Sequence, residues 1–461
     1  MFSSIKKLHF IGIGGIGMSG IAEILLDQKF SISGSDRSLS EVTERLQKLG
    51  AAIYEGHRAE NIADDVDTVV YSSAVQPDNP EMLEAQRRKI PVVRRAEMLA
   101  EVMRLKYGIG IAGTHGKTTT TSMTSLVLME GGLDPTVIVG GKLSGLGGTN
   151  ARLGRGEFIV VEADEYDRSF LSLTPTIAVL TTLETDHLDC YRDLDDIKNA
   201  FVQFANKVPF YGFVVLCLDE PALLDIMPHL SKKKIVTYGL NPQADVQAVE
   251  ISHKDNTVTY TLIRRGKELG TVKLQVPGNH NVQNSLGAIA VGLELGVPFE
   301  KIKAGIERFA GVYRRWEKKG EANGITLYDD YAHHPTECKA TLAGAKSGWR
   351  RRVVCVFQPH LFSRTRDFYE DFGKSFLLSD VLVVTDIYPA REEPIQGVTG
   401  ELIVNAAKQF GHKDVYYVPD KKQVPAFLQT IVKQGDIVVT MGAGDIWKFG
   451  EEFLKQLQAK K

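Results

Sequence analysis

Little in this sequence points to a staple, a polymer or a membrane. Its 461 residues include four cysteines, Cys190, Cys217, Cys338 and Cys355, far apart and never spaced as Cys-x-x-Cys. That spacing argues against a disulfide framework and a structural zinc site, so they read as reduced, structural side chains. The formal net charge is only −2, with acids and bases interspersed. No field therefore steers the chain toward nucleic acid or an anionic membrane, and a small anionic ligand suits it better than a polymer. No run of about 18 apolar residues occurs. Lys6 and Lys7 precede an apolar stretch, but glycines break it and no small-residue cleavage site follows, so a cytoplasmic location is expected. There is no internal repeat and no low-complexity linker.

What is present is ordinary globular composition, 43% hydrophobic and 24% charged, over a length too great for one core and sufficient for roughly three domains. Strand-like runs alternate with amphipathic stretches from end to end, which implies an α/β fold with mostly parallel sheets. Three blocks are expected: residues 1–105, 106–311 and 312–461. The first opens with a strand over Lys7 to Ile13, a helix reaching Lys29, and a second strand at Phe30 to Ser33. The second carries strands at Tyr107 to Ala112, Phe158 to Val161, Ile177 to Leu180 and an alternating run at Thr257 to Ile263. The third carries strands at Val353 to Phe357, Val381 to Thr385 and Ile437 to Thr440.

Between the strand Tyr107 to Ala112 and a following helix stands Gly113-Thr-His-Gly-Lys-Thr-Thr-Thr120, the setting of a phosphate-binding loop. Main-chain N–H groups from Gly113 through Thr114 and His115 to Gly116 are expected to face one anion, aided by the helix N-terminus. Lys117 spans the outer phosphates of a triphosphate, and the Thr118 hydroxyl meets Mg²⁺. The fit to G-x-x-x-x-G-K-[ST] is imperfect, because Ile111 holds the first glycine position. The alternative is a glycine-rich turn with a surface lysine.

In the first block Gly12, Gly14 and Gly17 satisfy G-x-G-x-x-G after a strand, and Asp36 stands 19 residues past Gly17, as in a dinucleotide fold. This signal is weak alone, since a tight strand-to-helix turn needs the same glycines. Beside a triphosphate loop it fits a nucleotide-linked substrate better than NAD. Glu162 falls at the carboxyl end of its strand, where α/β sheets place ligands, and Asp186 and His187 follow the strand Ile177 to Leu180. Thr118, Glu162 and His187 together suit Mg²⁺ or Mn²⁺ beside phosphates. Taken singly, His187 reads as a loop histidine bonded to backbone and Glu162 as a solvated strand end. Asn281 and Asn284 share a helical face where amides could read a purine edge, although Asn281 alone reads as a cap. Arg364 and Arg366 follow Gln358-Pro-His360 just after a buried strand and suit carboxylate or phosphate; a charged surface helix is the alternative. A dehydrogenase built on Gly12 and a nucleotide switch built on Lys117 are competing readings, but neither uses the third block.

These motifs together resemble the Mur ligase family along the whole chain, through His9-Phe-Ile-Gly-Ile-Gly-Gly-Ile-Gly17, Gly113 to Thr120, Glu162-Ala-Asp-Glu165, Asp186-His-Leu-Asp189, His280-Asn-Val-Gln-Asn284, Tyr328 to Pro335 and Gly442-Ala-Gly-Asp-Ile446. The resemblance, nearest to alanine-adding members, implies an N-terminal Rossmann-like domain for a UDP-sugar, a central P-loop ATPase and a C-terminal Rossmann-like domain. It implies ATP, L-alanine and UDP-N-acetylmuramate as substrates, in peptidoglycan precursor synthesis. Gly14, Gly15, Ile16, Gly17, Asp36, His57 and Ser72 would hold the UDP group. Gly113 to Thr119 with Asn284, Arg315 and Asp330 would hold ATP, and Thr118, Glu162 and His187 the metal. Thr119 joins that set as part of the loop. His333 and Arg364 would orient alanine, with Lys117 at the transferred phosphoryl group. Tyr166 stands where many members have serine, and Leu361 where several have arginine, which moves that role toward Arg364 or Arg366. Phe201 stands near the position of a carbamoylated lysine in sister ligases, so no such group is expected.

Overall fold

A computed structural model of the protein describes residues 5–72, 74–143, 149–186, 190–230, 233–390 and 392–459. Strands β1 (Lys7–Ile11), β2 (Ser31–Asp36), β3 (Ala52–Glu55), β4 (Thr68–Tyr71) and β5 (Val92–Arg94) form a parallel sheet in the order β3-β2-β1-β4-β5. Its first strand ends at Ile11, before the glycine turn, and the helix it feeds spans Ile16–Asp27. The second strand runs on to Asp36. Pairing to strands on both sides keeps Gly34 and Ser35 extended despite the low strand propensity of glycine.

The largest sheet has ten strands: β6 (Tyr107–Ala112), β7 (Thr136–Leu143), β8 (Thr149–Arg152), β9 (Phe158–Ala163), β10 (Ile177–Leu180), β11 (Phe213–Cys217), β12 (Lys234–Gly239), β13 (Val246–Lys254), β14 (Thr257–Arg264) and β15 (Lys267–Leu274). They are ordered β15-β14-β13-β12-β11-β10-β6-β9-β7-β8. Pairing from β7 through β9, β6, β10, β11 and β12 to β13 is parallel, and β8 is antiparallel to β7. Strands β6, β10 and β11 are almost continuously apolar and buried, as parallel strands covered on both faces must be. β14 alternates buried and half-buried residues, the period-2 pattern of a strand covered on one face.

The third sheet comprises β16 (Glu317–Ala322), β17 (Ile325–Asp330), β18 (Val353–Phe357), β19 (Val381–Val384), β20 (Val415–Tyr417) and β21 (Ile437–Met441), ordered β16-β17-β21-β18-β19-β20. It is parallel except for β16. Two apolar clusters cover its faces, one around Phe357, Phe372 and Phe376, the other around Leu327, Val356 and Phe453.

By contact the chain forms two compact units, residues 1–249 with 261–272 and 283–309, and residues 250–260 with 273–282 and 310–461. The first unit holds the five-stranded sheet and most of the ten-stranded one. Within it the helix Ile16–Asp27 packs on β7 and β8. The second unit holds the six-stranded sheet.

Candidate active site

The helix Lys117–Glu130 explains its loop's conformation. Residues Thr119 to Leu128 are all buried, so its first turn is anchored in the core. Gly116 enters it at φ +80° and Gly113 turns at φ +149°. A Cβ on Gly113 would lie 1.9 Å from the Thr181 hydroxyl, and one on Gly116 2.4 Å from Asn284 Oδ1. Only glycine meets both the backbone and the space requirement. The segment after β10 fixes the loop: Thr181 donates to His115 O at 2.5 Å, and Thr182 Oγ1 accepts from His115 N at 2.7 Å. Thr114 N donates to Thr182 O, and the Thr114 hydroxyl accepts from Glu184 N.

Thr182 thus engages the Thr114 and His115 amides, two of those expected at the anion. The amides at the helix start, Gly116 to Thr118, are the ones a helix leaves without internal partners.

Lys117 is half-buried at the centre of the site. Its ammonium donates to Glu165 at 2.8 and 2.9 Å, to Gly113 O at 2.7 Å and to Thr114 O at 3.2 Å. Burial opposes its charge, but the carboxylates of Glu165, Asp164 and Glu162 outweigh that and hold it well above the ordinary lysine range. The Thr118 hydroxyl donates to Glu162 Oε1 at 2.8 Å, and Glu162 Oε2 accepts from Gly140 N at 2.7 Å. Burial pushes the Glu162 carboxyl up, while Lys117, Gly140 and Thr118 oppose the shift. A hydroxyl and a half-buried carboxylate side by side form an oxygen donor set that fits Mg²⁺. Thr119 is buried in the helix's first turn. Asn284 lies beneath the loop, where its Oδ1 accepts from Thr120 at 3.2 Å. His187 lies outside the described residues.

At the first sheet, Gly14 N donates to Asp36 Oδ2 at 2.8 Å, so Asp36 braces the glycine turn. Gly15 is exposed at the helix start and Gly17 packs near Arg95; the Ile16 side chain lies outside the described residues. Ser72 follows β4, its N–H donating to Ile11 O. His57 has a defined orientation. The Ser35 hydroxyl gives its one proton to buried Glu81 at 2.6 Å and so must accept from His57 Nδ1 at 2.9 Å. Asn61 completes the network with a 2.6 Å bond to Glu81.

In the second unit, β17 ends in two buried acids. Asp329 pairs with Arg314 at 2.8 Å. Asp330 accepts from Trp316 N and Ala332 N, both at 2.8 Å. Burial raises the Asp330 carboxyl to about 6, with Arg315 pulling the other way. Arg315 pairs with Glu337 at 3.1 Å and lies over the Tyr331 ring. His333 Nδ1 donates to Tyr331 O at 3.0 Å and lies 3.2 Å from Glu337. Arg364 is buried in the first turn of the helix Phe362–Ser375, whereas exposed Arg366 pairs with its neighbour Asp367. Asn281 donates to Pro277 O at 2.7 Å from inside the helix Asn279–Glu294, so it does not serve as the N-cap that its reading alone suggested.

Three family models match the chain: the Mur ligase family catalytic domain over residues 7–107, the Mur ligase middle domain over 111–292 and the Mur ligase glutamate ligase domain over 314–444. The chain belongs to the Mur ligase family. It is 55% identical over 458 residues to the UDP-N-acetylmuramate–L-alanine ligase of Geotalea uraniireducens, covering 99% of both chains. It is 54% identical over 456 residues to that of Salinibacter ruber, covering 98% of this chain and 95% of the other. The solved UDP-N-acetylmuramate–alanine ligase of Thermotoga maritima matches with a TM-score of 0.82 at 30% identity, over 99% and 100% of the two chains. A murein peptide ligase from Psychrobacter arcticus matches with a TM-score of 0.69 at 26% identity, over 98% of each. The three-domain α/β architecture read from the sequence is thus the Mur ligase fold.

For this Mur ligase the sequence reading overlooked four residues. Glu165, the third acid of Glu162-Ala-Asp-Glu165, holds Lys117. Thr181 and Thr182 lock the loop, and their only signal was their place after a buried strand. Glu220, beyond β11, is pushed up to about 7 by burial, with Glu184 adding to the shift. Leu361 occupies a backbone conformation of φ +72° and ψ 136°, unusual for a branched side chain. It turns the chain from β18 into the helix bearing Arg364. Phe201 is fully buried and packs at a tilt on Phe170, with ring centroids 5.3 Å apart, a core role.

Proposed function

We propose that this Mur ligase joins L-alanine to the lactyl carboxylate of UDP-N-acetylmuramate, consuming ATP and releasing ADP and phosphate. Identity above 50% along the full length to ligases of that name supports the substrate. The observation that carries the chemistry is the convergence of Lys117, Thr118 and Glu162 at a glycine loop that opens a helix, the kind of terminus that binds anions. The substrate carboxylate attacks the γ-phosphorus, the bond to the ADP oxygen breaks, and an acyl phosphate forms. The alanine amine then attacks the acyl carbon, phosphate leaves, and the amine gives up a proton. Lys117 neutralises charge on the moving phosphoryl group once it exchanges Glu165 for phosphate oxygen. Mg²⁺, or Mn²⁺, held by Thr118 and Glu162 with His187, supplies further charge neutralisation.

Residues 1–105 form the UDP-sugar domain in this reading, with Gly14 to Gly17, Asp36, His57 and Ser72 at the ligand. Residues 106–311 form the ATPase, and residues 312–461 bring Arg315 and Asp330 to ATP and His333 and Arg364 to alanine. His333, protonated on Nδ1 by its bond to Tyr331 O, would take the amine proton on Nε2. A cytoplasmic location follows from its substrates. The test is ADP release with UDP-N-acetylmuramate across all single amino acids and a murein tripeptide. Alanine is expected to give the highest kcat/KM. Turnover with the tripeptide and none with any single amino acid would overturn the proposal.

A further inference from the structure

A cleft of about 670 Å³ opens at the amino ends of β6 and β9, the edge of the central sheet opposite the nucleotide loop. β6 spans six residues from the cleft residue Tyr107 to Ala112, which at about 3.3 Å per residue separates the two sites by about 20 Å. Four cations, Arg104, Lys106, Arg155 and Lys207, line the cleft with a single acid, Glu157. The Lys106 ammonium donates to the carbonyls of Gly154 and Gly156 at 2.6 and 2.7 Å, and Lys207 donates to Leu171 O. Among the described residues, neither lysine nor Arg155 has a carboxylate within ion-pair distance; Arg104 pairs with Glu101 at 2.6 Å.

This arrangement is costly without a ligand. Burial works against the charge of both lysines; Asp134 partly offsets this at Lys106, whereas Arg104 adds like-charge repulsion at Lys207. Main-chain carbonyls hold each ammonium in place without neutralising it, and an ammonium has three donors, so Lys106 keeps one for a ligand. Beside the cations stand two tyrosines, Tyr107 at 46% and Tyr211 at 62% exposure. Exposed rings beside fixed cations favour a ligand with a flat π-face and negative charge.

We propose that this cleft is a second ligand site, distinct from the catalytic one, that takes a phosphorylated compound carrying a planar ring, a nucleoside monophosphate being the simplest. Arg104, Lys106, Arg155 and Lys207 bind its phosphate and Tyr211 stacks on the ring.

The test uses the full chain carrying Lys117→Ala, which disables the catalytic phosphate loop, with AMP titrated by calorimetry at low and high salt. One binding event is expected, weakened by salt, reduced at least tenfold by Lys106→Met with Lys207→Met, and reduced by Tyr211→Ala. Because Lys106 also ties down Gly154 and Gly156, Arg155→Glu serves as the parallel variant: it is exposed, should leave the fold and the ligase rate of the parent unchanged, and should weaken AMP by a similar factor. No AMP binding to millimolar concentration, or binding indifferent to all of these variants, overturns the proposal. Binding that responds to the charge variants but not to Tyr211→Ala overturns its assignment to a ring-bearing ligand.

Discussion

Replacing Lys117 by methionine should affect stability and turnover separately, because the lysine is both an ion-pair partner and a phosphate contact. The Glu165 side chain is only 3% exposed and lies 2.8 Å from the ammonium. Removing one member of such a pair leaves a buried charge uncompensated and costs about 3–5 kcal/mol, whereas removing both charges is often nearly neutral. Lys117→Met should therefore lower stability by roughly 3 kcal/mol. At about 2–4 °C per kcal/mol for a unit of this size, the calorimetric transition of the first unit should fall by roughly 6–12 °C. Lys117→Met with Glu165→Gln should regain most of that loss. Neither variant should turn over at more than about a hundredth of the parent rate, since the charge that meets the phosphoryl group is absent from both. Scanning calorimetry and a coupled ADP assay read the two effects. Equal destabilisation of the single and double variants would show that Glu165 is not the lysine's electrostatic partner. Activity within threefold of the parent would remove Lys117 from the chemistry.

Four further outcomes follow from the geometry. Gly116→Ala forces φ +80° on a Cβ placed 2.4 Å from Asn284 Oδ1; it should cost about 1–3 kcal/mol and raise KM for ATP, and an unchanged KM would separate the loop from the nucleotide. Glu162→Gln should raise the Mg²⁺ concentration for half-maximal rate about tenfold or more, and an unaltered metal titration would assign it to structure. Ser35→Ala removes the acceptor that orients His57 and should raise KM for the UDP-sugar with KM for ATP unchanged; a fall in kcat alone would contradict that role. Burial lowers His280 to about 4, with Arg315 adding to the shift. Its folded pKa is depressed, so its contribution, at most about 3 kcal/mol, is present above about pH 6.5 and lost as pH falls toward 4. His280→Gln should flatten the stability of the second unit across that window, and an identical pH profile would refute the assignment.

The motifs that announce chemistry were legible because they are local. Gly113 to Thr118 needs only a strand before it and a helix after it, and apolar runs such as Ile177–Leu180 and Val353–Phe357 can be little other than buried parallel strands. Local pattern placed strand two at Phe30 to Ser33, whereas pairing on both sides carries it from Ser31 to Asp36. Nor did it show that Thr182, 67 residues beyond His115, engages two of the loop amides.

The sequence by itself determined the α/β class, the phosphate loop and the run of motifs that mark a Mur ligase, since each depends on residue type and short spacing. The tertiary structure alone decided the electrostatics. That Glu165 rather than water holds Lys117, that Ser35 and Glu81 fix the His57 proton, and that four cations share one cleft at the far edge of the sheet are consequences of strand order. A parallel sheet brings together side chains from distant segments, and only burial there gives their charges and hydrogen bonds full weight.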